Sequence, residues 1–206
     1  IGSASIVTRT HFIKIFHHAW PTMSRNFKWK QNDTNVCPLC QKCEETTTHV
    51  YQCSNERAKS CQSLQILELK KKLRASSTDP FIINHVGRIL YQFSNGFAVN
   101  LIPIPNGTSN DLQSKINSFN QQLSLGPLLL LSGFVTSDLS DVQSSYMKTL
   151  QAQQKPNISS WNRALIKACL DYSQAIWKFR SEILHNEAVF TQEAMVRNQA
   201  IQLLHS

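Results

Sequence analysis

Apolar residues recur every three or four positions in several segments of the chain, which is the spacing of a helix with one buried face. The clearest run covers residues 161–183 and predicts a long C-terminal helix at about 160–186. We expect a break near Asn186 or Thr191, followed by a final helix that ends near Leu204. The apolar spacing of the long helix fits the seam of a helical bundle as well as that of a coiled coil, and we favour packing in a bundle core.

Shorter segments show the same period and predict helices at 8–20, 56–74, 111–124, 127–135 and 137–153. Pro21 is expected to end the first of these, because the residue before a proline avoids the helical region. Residues 76–110 combine short apolar patches with turn residues, so we expect mostly loop there, with a helix near 81–94. The sequence therefore predicts a mainly α protein.

The cysteines cluster between residues 37 and 61, apart from Cys169. The pattern C-x2-C-x8-H-x3-C is formed by Cys37, Cys40, His49 and Cys53. The C-x2-C turn aims two thiolates at one point, and a histidine and a cysteine four residues apart share one face of a helical turn. Structural zinc takes four tetrahedral nitrogen and sulfur ligands, and three cysteines with one histidine are an accepted set. We therefore expect one structural Zn²⁺.

Cys43 leaves the ligand set open, because Cys37, Cys40 and Cys43 also form a C-x2-C-x2-C pattern. We prefer His49, which begins the H-x3-C unit, and keep Cys43 as an alternative ligand. A redox-active C-x2-C pair is a weaker interpretation, since no βαβ pattern surrounds it. Ordinary buried thiols beside a surface histidine are the other alternative.

The predicted elements divide into two regions, and 206 residues suit one large domain or two small ones. Residues 1–62 are expected to form a helix plus the Cys3His zinc module. Residues 63–206 are expected to form a helical region with a loop at about 95–110 and the long helix near its end. The predicted architecture is a small zinc-stabilised module near the N-terminus followed by a helical bundle.

The charge of the chain is positive and unevenly distributed. Lysine and arginine number 21 against 13 acidic residues, and +7 of the net +8 lies in the first 88 residues. A one-sided basic excess favours a polyanionic partner, RNA or DNA first. The candidate phosphate contacts are Arg9, Lys14, Arg25, Lys28, Lys30, Lys70, Lys71, Lys72 and Arg74. For the last four, interaction with the C-terminal end of the helix dipole is an equally good explanation.

Two aromatic residues, Phe27 and Trp29, are interleaved with the basic residues of the 25–30 segment. We expect both rings to pack against the metal module. The alternative is that they stack on nucleic-acid bases while the neighbouring cations bind phosphates.

Several function classes find no support in the sequence. The longest apolar run, Leu128–Leu131, is too short for a membrane helix, and no signal peptide is visible, so we expect an intracellular protein of the nucleus or cytoplasm. Phosphate-binding, serine-hydrolase and zinc-protease motifs are absent, and the H-x-E at 185–187 follows the C-x2-C rather than preceding it as in zinc deaminases. We expect no catalysis. Because the chain begins at Ile1, we interpret it as a piece of a larger protein.

Four stretches of the chain follow the order and spacing of one family's motifs. They are Trp20-Pro21-Thr22 followed by Arg25; Cys37-Pro38-Leu39-Cys40 with Glu45-Thr46, His49 and Cys53; Gly133-Phe134 with Gln143 and Tyr146; and Trp177-Lys178-Phe179-Arg180 with Leu184-His185-Asn186. From about residue 8 to 187, the chain resembles the region downstream of the reverse-transcriptase domain in retrotransposon-encoded, non-LTR-like polyproteins. Leu139 and Asn186 depart from the family, which usually has tryptophan and glycine there.

The resemblance implies that the parent protein copies RNA into DNA and that an upstream reverse-transcriptase domain is a partner of this region. The chain itself lacks the Asp-Asp pair of the polymerase motif, so it is not the polymerase. We expect a zinc-stabilised, non-catalytic accessory module that binds nucleic acid. The alternatives are a helical protein-interaction module without a nucleic-acid role and a decayed retroelement remnant with no activity.

Overall fold

The computed structural model describes residues 10, 13–17, 19–150 and 157–204, with side chains described as far as residue 184. Helical residues at 13–16 precede the helices α1 (Met23–Lys28), α2 (Thr47–Gln52), α3 (Glu56–Ala75), α4 (Pro80–Ser94), α5 (Asn110–Ser124), α6 (Pro127–Leu131), α7 (Ser137–Leu150) and α8 (Ile158–Leu204). The described residues contain no strand beyond one isolated antiparallel bridge between Val36 and Glu44. The prediction of a mainly α protein with a Cys/His cluster near the N-terminus is confirmed.

Side-chain caps explain where the central helices begin. The carboxamide oxygen of Asn55 accepts hydrogen bonds from the amides of Arg57 and Ala58 at the start of α3. At the start of α4, the Asp79 carboxylate accepts a hydrogen bond from the Phe81 amide. Pro80 occupies the first helical turn, where a backbone N–H would have no partner within the helix, so its absence costs nothing. The expected helix near 81–94 is therefore present, and the loop between α4 and α5 lies at 95–109, close to the predicted range.

Two helix ends differ from the prediction. Helix α6 ends at Leu131 rather than 135, because Gly133 adopts φ 91°, where an added Cβ would lie 3.0 Å from the Ile166 side chain. Helix α8 continues to Leu204 without a break at Asn186 or Thr191. Residues 158–204 contain neither glycine nor proline, and the propensity cost of asparagine or threonine is only a few tenths of a kcal/mol, roughly.

The first predicted helix, 8–20, lies partly outside the described residues. The described part is helical at 13–16 and turns at His17. Trp20 then lies in the core, with 1% of its surface exposed. Pro21 therefore does not end the helix, contrary to our expectation, because it follows the non-helical, buried Trp20.

One hydrophobic core joins early and late segments of the chain. Trp20 and Tyr51 are buried together with side chains of α3, α4 and α8. The buried face of α8 comprises the apolar positions that the sequence pattern predicted, Trp161, Leu165, Ala168, Tyr172 and Ile176. The sequence placed a boundary between residues 62 and 63, but helix α3 continues through this position. Side chains from before and after the boundary belong to the same core. The division into two regions stays a prediction.

A second, small cluster of buried residues lies beside the core and places the cysteines. Cys37 and Cys53 pack on Ala58 of α3, with Phe179 of α8 and Leu39 against them. The cysteine-rich segment is thus seated where α3 and α8 run side by side. Among the described residues, no helix combines the length and the apolar character that crossing a membrane would need.

Candidate metal centre and basic surface

The two N-terminal cysteines of the cluster lie on a tight, hydrogen-bonded turn. The Cys37 amide donates to the Cys43 carbonyl at 2.7 Å, and the Gln41 amide donates to the Cys37 carbonyl at 2.8 Å. Gln41 adopts a left-handed conformation, with φ 54°, which lets the chain reverse directly after Cys40. The Val36–Glu44 bridge closes the base of this turn. Local backbone geometry therefore brings the Cys37 and Cys40 sulfurs to the same side.

The other two members of the cluster belong to α2 and its C-terminal end. The Thr46 hydroxyl caps this helix by accepting a hydrogen bond from the His49 amide at 3.1 Å. Cys53 follows the last helical residue. A separation of four residues places the imidazole and the thiol on one face of a single helical turn, as the spacing predicted.

The four ligand atoms converge on one point. All of them lie within 4.8 Å of one another. The Cys37 and Cys53 sulfurs are 3.8 Å apart, and the Cys40 sulfur lies 3.4 Å from His49 Nε2. A tetrahedral zinc ion with ordinary bond lengths requires edges of about 3.8 Å between sulfurs and about 3.6 Å between sulfur and nitrogen. The donor set and its dimensions fit a tetrahedral ion of this size.

Hydrogen bonds within the cluster shift the pKa values of its members in different directions. The contact with the Cys53 sulfur, together with burial, raises the pKa of Cys37 to about 12. The same contact lowers the pKa of Cys53, and contact with Cys37 raises the pKa of His49. Thiolates are the metal-binding form, so a bound dication would displace the proton that Cys37 otherwise keeps.

The structure separates Cys43 from this cluster. Its carbonyl takes part in the turn, but the residue is exposed, and its thiol is not among the converging ligand atoms. The sequence left Cys43 open as an alternative to His49. The structure places the His49 ring in the cluster, in agreement with the preferred set.

Glu45 connects residues 37–53, which we call the metal segment because they carry the Cys/His cluster, to two other parts of the fold. Its carboxylate is 1% exposed and accepts two hydrogen bonds from the Arg180 guanidinium of α8, at 2.9 and 2.5 Å. The carboxylate also accepts from the Met23 amide at 2.7 Å, at the start of α1. Beside this pair, the Arg180 guanidinium lies 4.8 Å from the centre of the Trp177 ring, which stacks on Trp20.

Sequence reasoning did not identify this buried junction. Glu45, Trp177 and Arg180 were noted only as parts of a family resemblance, and nothing in their spacing indicates that they touch. Two features of the sequence could have indicated the junction. Glu45 directly precedes Thr46, the capping residue of α2, and Arg180 interrupts the apolar face of the long helix with a charge.

The candidate phosphate contacts fall into separate groups. Arg9 lies outside the described residues, and Lys14 is exposed near the N-terminal end of the described part. Arg25, Lys28 and Lys30 lie on α1 or directly after it. The structure places Lys70, Lys71, Lys72 and Arg74 on α3, away from α1 in the chain.

The α3 group is partly engaged in contacts within the protein. Lys72 Nζ lies 2.8 Å from an Asp171 carboxylate oxygen on α8. The stem of Lys70 covers Gly87 of α4. Lys71 lies 4.0 Å from Glu68. In the α1 group, Lys28 and Lys30 are exposed beside an exposed aromatic ring, and on that ground we take α1 as the better candidate for a binding surface.

The expectation that Phe27 and Trp29 pack against the metal module is wrong. Phe27 is 47% exposed and Trp29 is 56% exposed. Neither ring belongs to the buried cluster around Cys37 and Cys53. Instead, the Arg25 guanidinium carbon lies 5.0 Å from the centre of the Trp29 ring, in a cation–π contact. We call Arg25, Lys28, Trp29 and Lys30 the α1 basic surface.

Fold and site together define the class: a mainly helical protein with a Cys3His candidate metal site set beside its helical core. Comparison with known proteins adds no family to this description. No family model, curated protein or solved structure matches the chain.

Proposed function

We propose that this chain is a non-catalytic accessory module that binds RNA or DNA through the α1 basic surface and is stabilised by one structural Zn²⁺. Cys37, Cys40, His49 and Cys53 would hold the ion. Following the sequence resemblance, the module would work beside an upstream reverse-transcriptase domain of a retrotransposon-encoded protein. It would do so inside the cell, in the nucleus or cytoplasm.

The observation that carries this proposal is the attachment of the α1 basic surface, in which Lys28, Trp29 and Lys30 are exposed, to residues 37–53 with the Cys/His cluster. Glu45 lies between the cysteine turn and α2, and its carboxylate receives the Met23 amide of α1. The Ser24 amide donates to the Glu45 carbonyl at 3.3 Å, and the Ser24 hydroxyl donates to the Glu44 carboxylate. An ion that fixes residues 37–53 therefore also fixes the direction in which α1 presents its cations.

The ligand set supports a structural role for the metal. Catalytic zinc sites keep an open coordination position for water or substrate, whereas four protein ligands close the tetrahedron. When bound, the ion would supply cross-linking of the cysteine turn to α2. The chain's own residues supply the phosphate contacts.

Charge reversal on α1 tests the proposal. The triple variant Arg25→Glu, Lys28→Glu, Lys30→Glu is compared with Lys148→Glu, Arg163→Glu, Lys178→Glu, which makes the same change in net charge at exposed positions of α7 and α8. Fluorescence anisotropy with a labelled single-stranded oligonucleotide is measured over a range of salt concentrations. Since each phosphate contact contributes about 0.7 to the salt slope for a single strand, the α1 variant should lower the slope by roughly 2.

The control variant should retain most of the affinity and the original salt slope. Equal losses in both variants would show that only net charge matters, and the α1 surface would not be a binding site. Absence of salt-dependent binding in the unaltered protein would favour the protein-interaction alternative.

A further inference from the structure

We infer that the α1 basic surface is a site for single-stranded nucleic acid, in which an unpaired base stacks on Trp29. This inference rests on the proposed function, because it presumes that the α1 basic surface binds nucleic acid. It adds the kind of nucleic acid and the residue that recognises it.

The first step is the exposure of Trp29. More than half of the residue is accessible, although tryptophan is among the most buried residue types on average. By contrast, Trp20 and Trp161 of the core are 1% and 2% exposed, and Trp177 is partly buried against the core. Trp29 therefore contributes little to the core, and its large ring is available to a ligand.

The second step is the contact between Trp29 and Arg25. These residues are four apart, and the guanidinium lies over the indole at 5.0 Å from the ring centre. A cation on one face leaves the opposite face of the ring for a planar partner. The guanidinium on the other face adds positive charge near the site, which favours a partner that carries a phosphate.

The third step is the rigid backbone beneath the ring. Lys30 adopts φ 56°, its amide donates to the Phe27 carbonyl at 2.9 Å, and the Gln31 amide donates to the Asn26 carbonyl at 2.8 Å. This pair of bonds is the Schellman motif, which closes the end of a helix. Trp29 is the C-cap residue inside this motif, so its backbone is fixed before a ligand binds, which lowers the entropy lost on binding.

The charge around Trp29 suits a polyanion. Lys28 and Lys30 flank the ring in sequence, and residues 1–30 contain no acidic side chain. Cations alone would bind the phosphates of a duplex as well as those of a single strand. An exposed ring adds a preference for single strands over duplexes, because only an unpaired base offers its flat face for stacking.

Phe27 provides an internal control for this assignment. It is exposed to a similar degree, but it lies two positions before Trp29, about 200° around the helix, and so faces another side. If any exposed aromatic ring on α1 increased affinity, Phe27 and Trp29 would matter equally. The inferred site requires Trp29 alone.

The test uses the full chain loaded with zinc and three labelled probes of equal length. They are a single-stranded oligothymidine, the same sugar–phosphate backbone with abasic sites in place of the bases, and a blunt DNA duplex. Base stacking on aromatic side chains corresponds to about 5- to 150-fold in affinity. The unaltered protein should bind the single strand about 10-fold or more tightly than the abasic probe.

The variants separate the contribution of base stacking to affinity from the contribution of phosphate binding. Trp29→Ala should abolish the preference for the base-containing strand, because it should weaken binding of that strand far more than binding of the abasic probe. Trp29→Tyr should restore most of the preference, and Phe27→Ala should keep it. Zinc content and far-ultraviolet circular dichroism of each variant show that the fold is retained.

The outcomes separate the two proposals. If base-containing and abasic strands bind equally, or if Trp29→Ala keeps the preference, the stacking inference is overturned while salt-dependent binding through α1 still stands. If the duplex binds as tightly as the single strand, the assignment to single strands is overturned. If none of the probes binds at low salt, the proposed function fails, and the stacking inference fails with it.

Discussion

At the scale of single residues, the ligand set depends on where the chain turns. Cys43 and Cys40 stand three residues apart, as do Cys40 and Cys37, so sequence spacing alone allows Cys43 as a ligand. The left-handed Gln41 reverses the chain after Cys40 and leaves Cys43 exposed. His49 replaces it because the Thr46 cap starts a helix that faces the imidazole toward the sulfurs.

Metal content of purified protein checks the ligand set directly. We expect about one zinc per chain in the unaltered protein and in Cys43→Ser, since a closed site takes four ligands. The double variant Cys40→Ser, His49→Ala should lose the metal and the stability that depends on it, which is on the order of 10 kcal/mol for a structural site. Full zinc retention in the double variant, or zinc loss in Cys43→Ser, would refute the ligand set.

His85 gives a pH prediction at the same scale. Its ring lies 4.1 Å from Phe81 and 5.3 Å from Phe119 between ring centres, and burial lowers its pKa, with Arg88 contributing and the Phe81 carbonyl opposing. A folded-state pKa below the unfolded value of about 6.5 means that the unfolded state binds more protons, so stability is full above that pH and falls as pH decreases toward the folded pKa.

The variant His85→Gln should remove this part of the pH dependence. We expect urea midpoints of the unaltered protein to decrease between pH 7.5 and pH 5.5 by more than those of the variant. Measuring both proteins in parallel cancels the contributions of the other histidines. Identical pH profiles would show that His85 does not titrate differently in the folded and unfolded states.

At the scale of elements, α1 shows how a short helix is held by its ends. Thr22 caps the first turn, and the left-handed Lys30 closes the last one. Such a position normally favours glycine, because a side chain there costs roughly 1–2 kcal/mol. A lysine at this position keeps a cation next to Trp29 at the expense of stability.

Replacing Lys30 by glycine should therefore separate stability from binding. Lys30→Gly should raise the free energy of unfolding by up to about 1 kcal/mol while weakening nucleic-acid binding. Lys28→Gly, at the last residue of the helix, should lower stability by up to about 1 kcal/mol and weaken binding as well. Urea titration and anisotropy on the same samples measure both effects, and a loss of stability in Lys30→Gly would contradict the left-handed geometry.

At the scale of the whole molecule, one buried ion pair connects residues 135 apart in the sequence, Glu45 and Arg180. It joins the metal segment to α8, while the Met23 amide joins the same carboxylate to α1. The stacked Trp20 and Trp177 rings lie against this junction. The orientation of the α1 basic surface thus depends on contacts that extend to the long C-terminal helix.

Breaking this pair should be costly. Glu45→Gln and Arg180→Met should each destabilise the protein by about 3–5 kcal/mol, because either change leaves a buried charge uncompensated. The double variant should lose less than the sum of the two. Lys178→Met, which removes an exposed pair with Glu182 on the same helix, should cost about 1 kcal/mol or less. Additive losses in chemical denaturation would show that Glu45 and Arg180 do not interact.

The helices and the Cys/His cluster could be predicted from the sequence because both depend on local spacing. The apolar seam of α8 and the C-x2-C-x8-H-x3-C pattern involve residues that are close together along the chain. Helix ends were less predictable: α8 continued past Asn186 because weak helix formers do not end a helix, and α6 ended early because Gly133 adopts a positive φ of 91°.

Tertiary structure decided which side chains are available. The sequence predicted Trp29 to be packed, and only the folded chain shows it exposed beside Arg25. The sequence treated Lys72 like its basic neighbours, and the fold pairs it with Asp171, 99 residues away. Exposure and ion pairing depend on contacts between distant segments, which no local pattern records. The residue types and ligand spacing were therefore set by the sequence, and the surface that could bind a partner was set by packing.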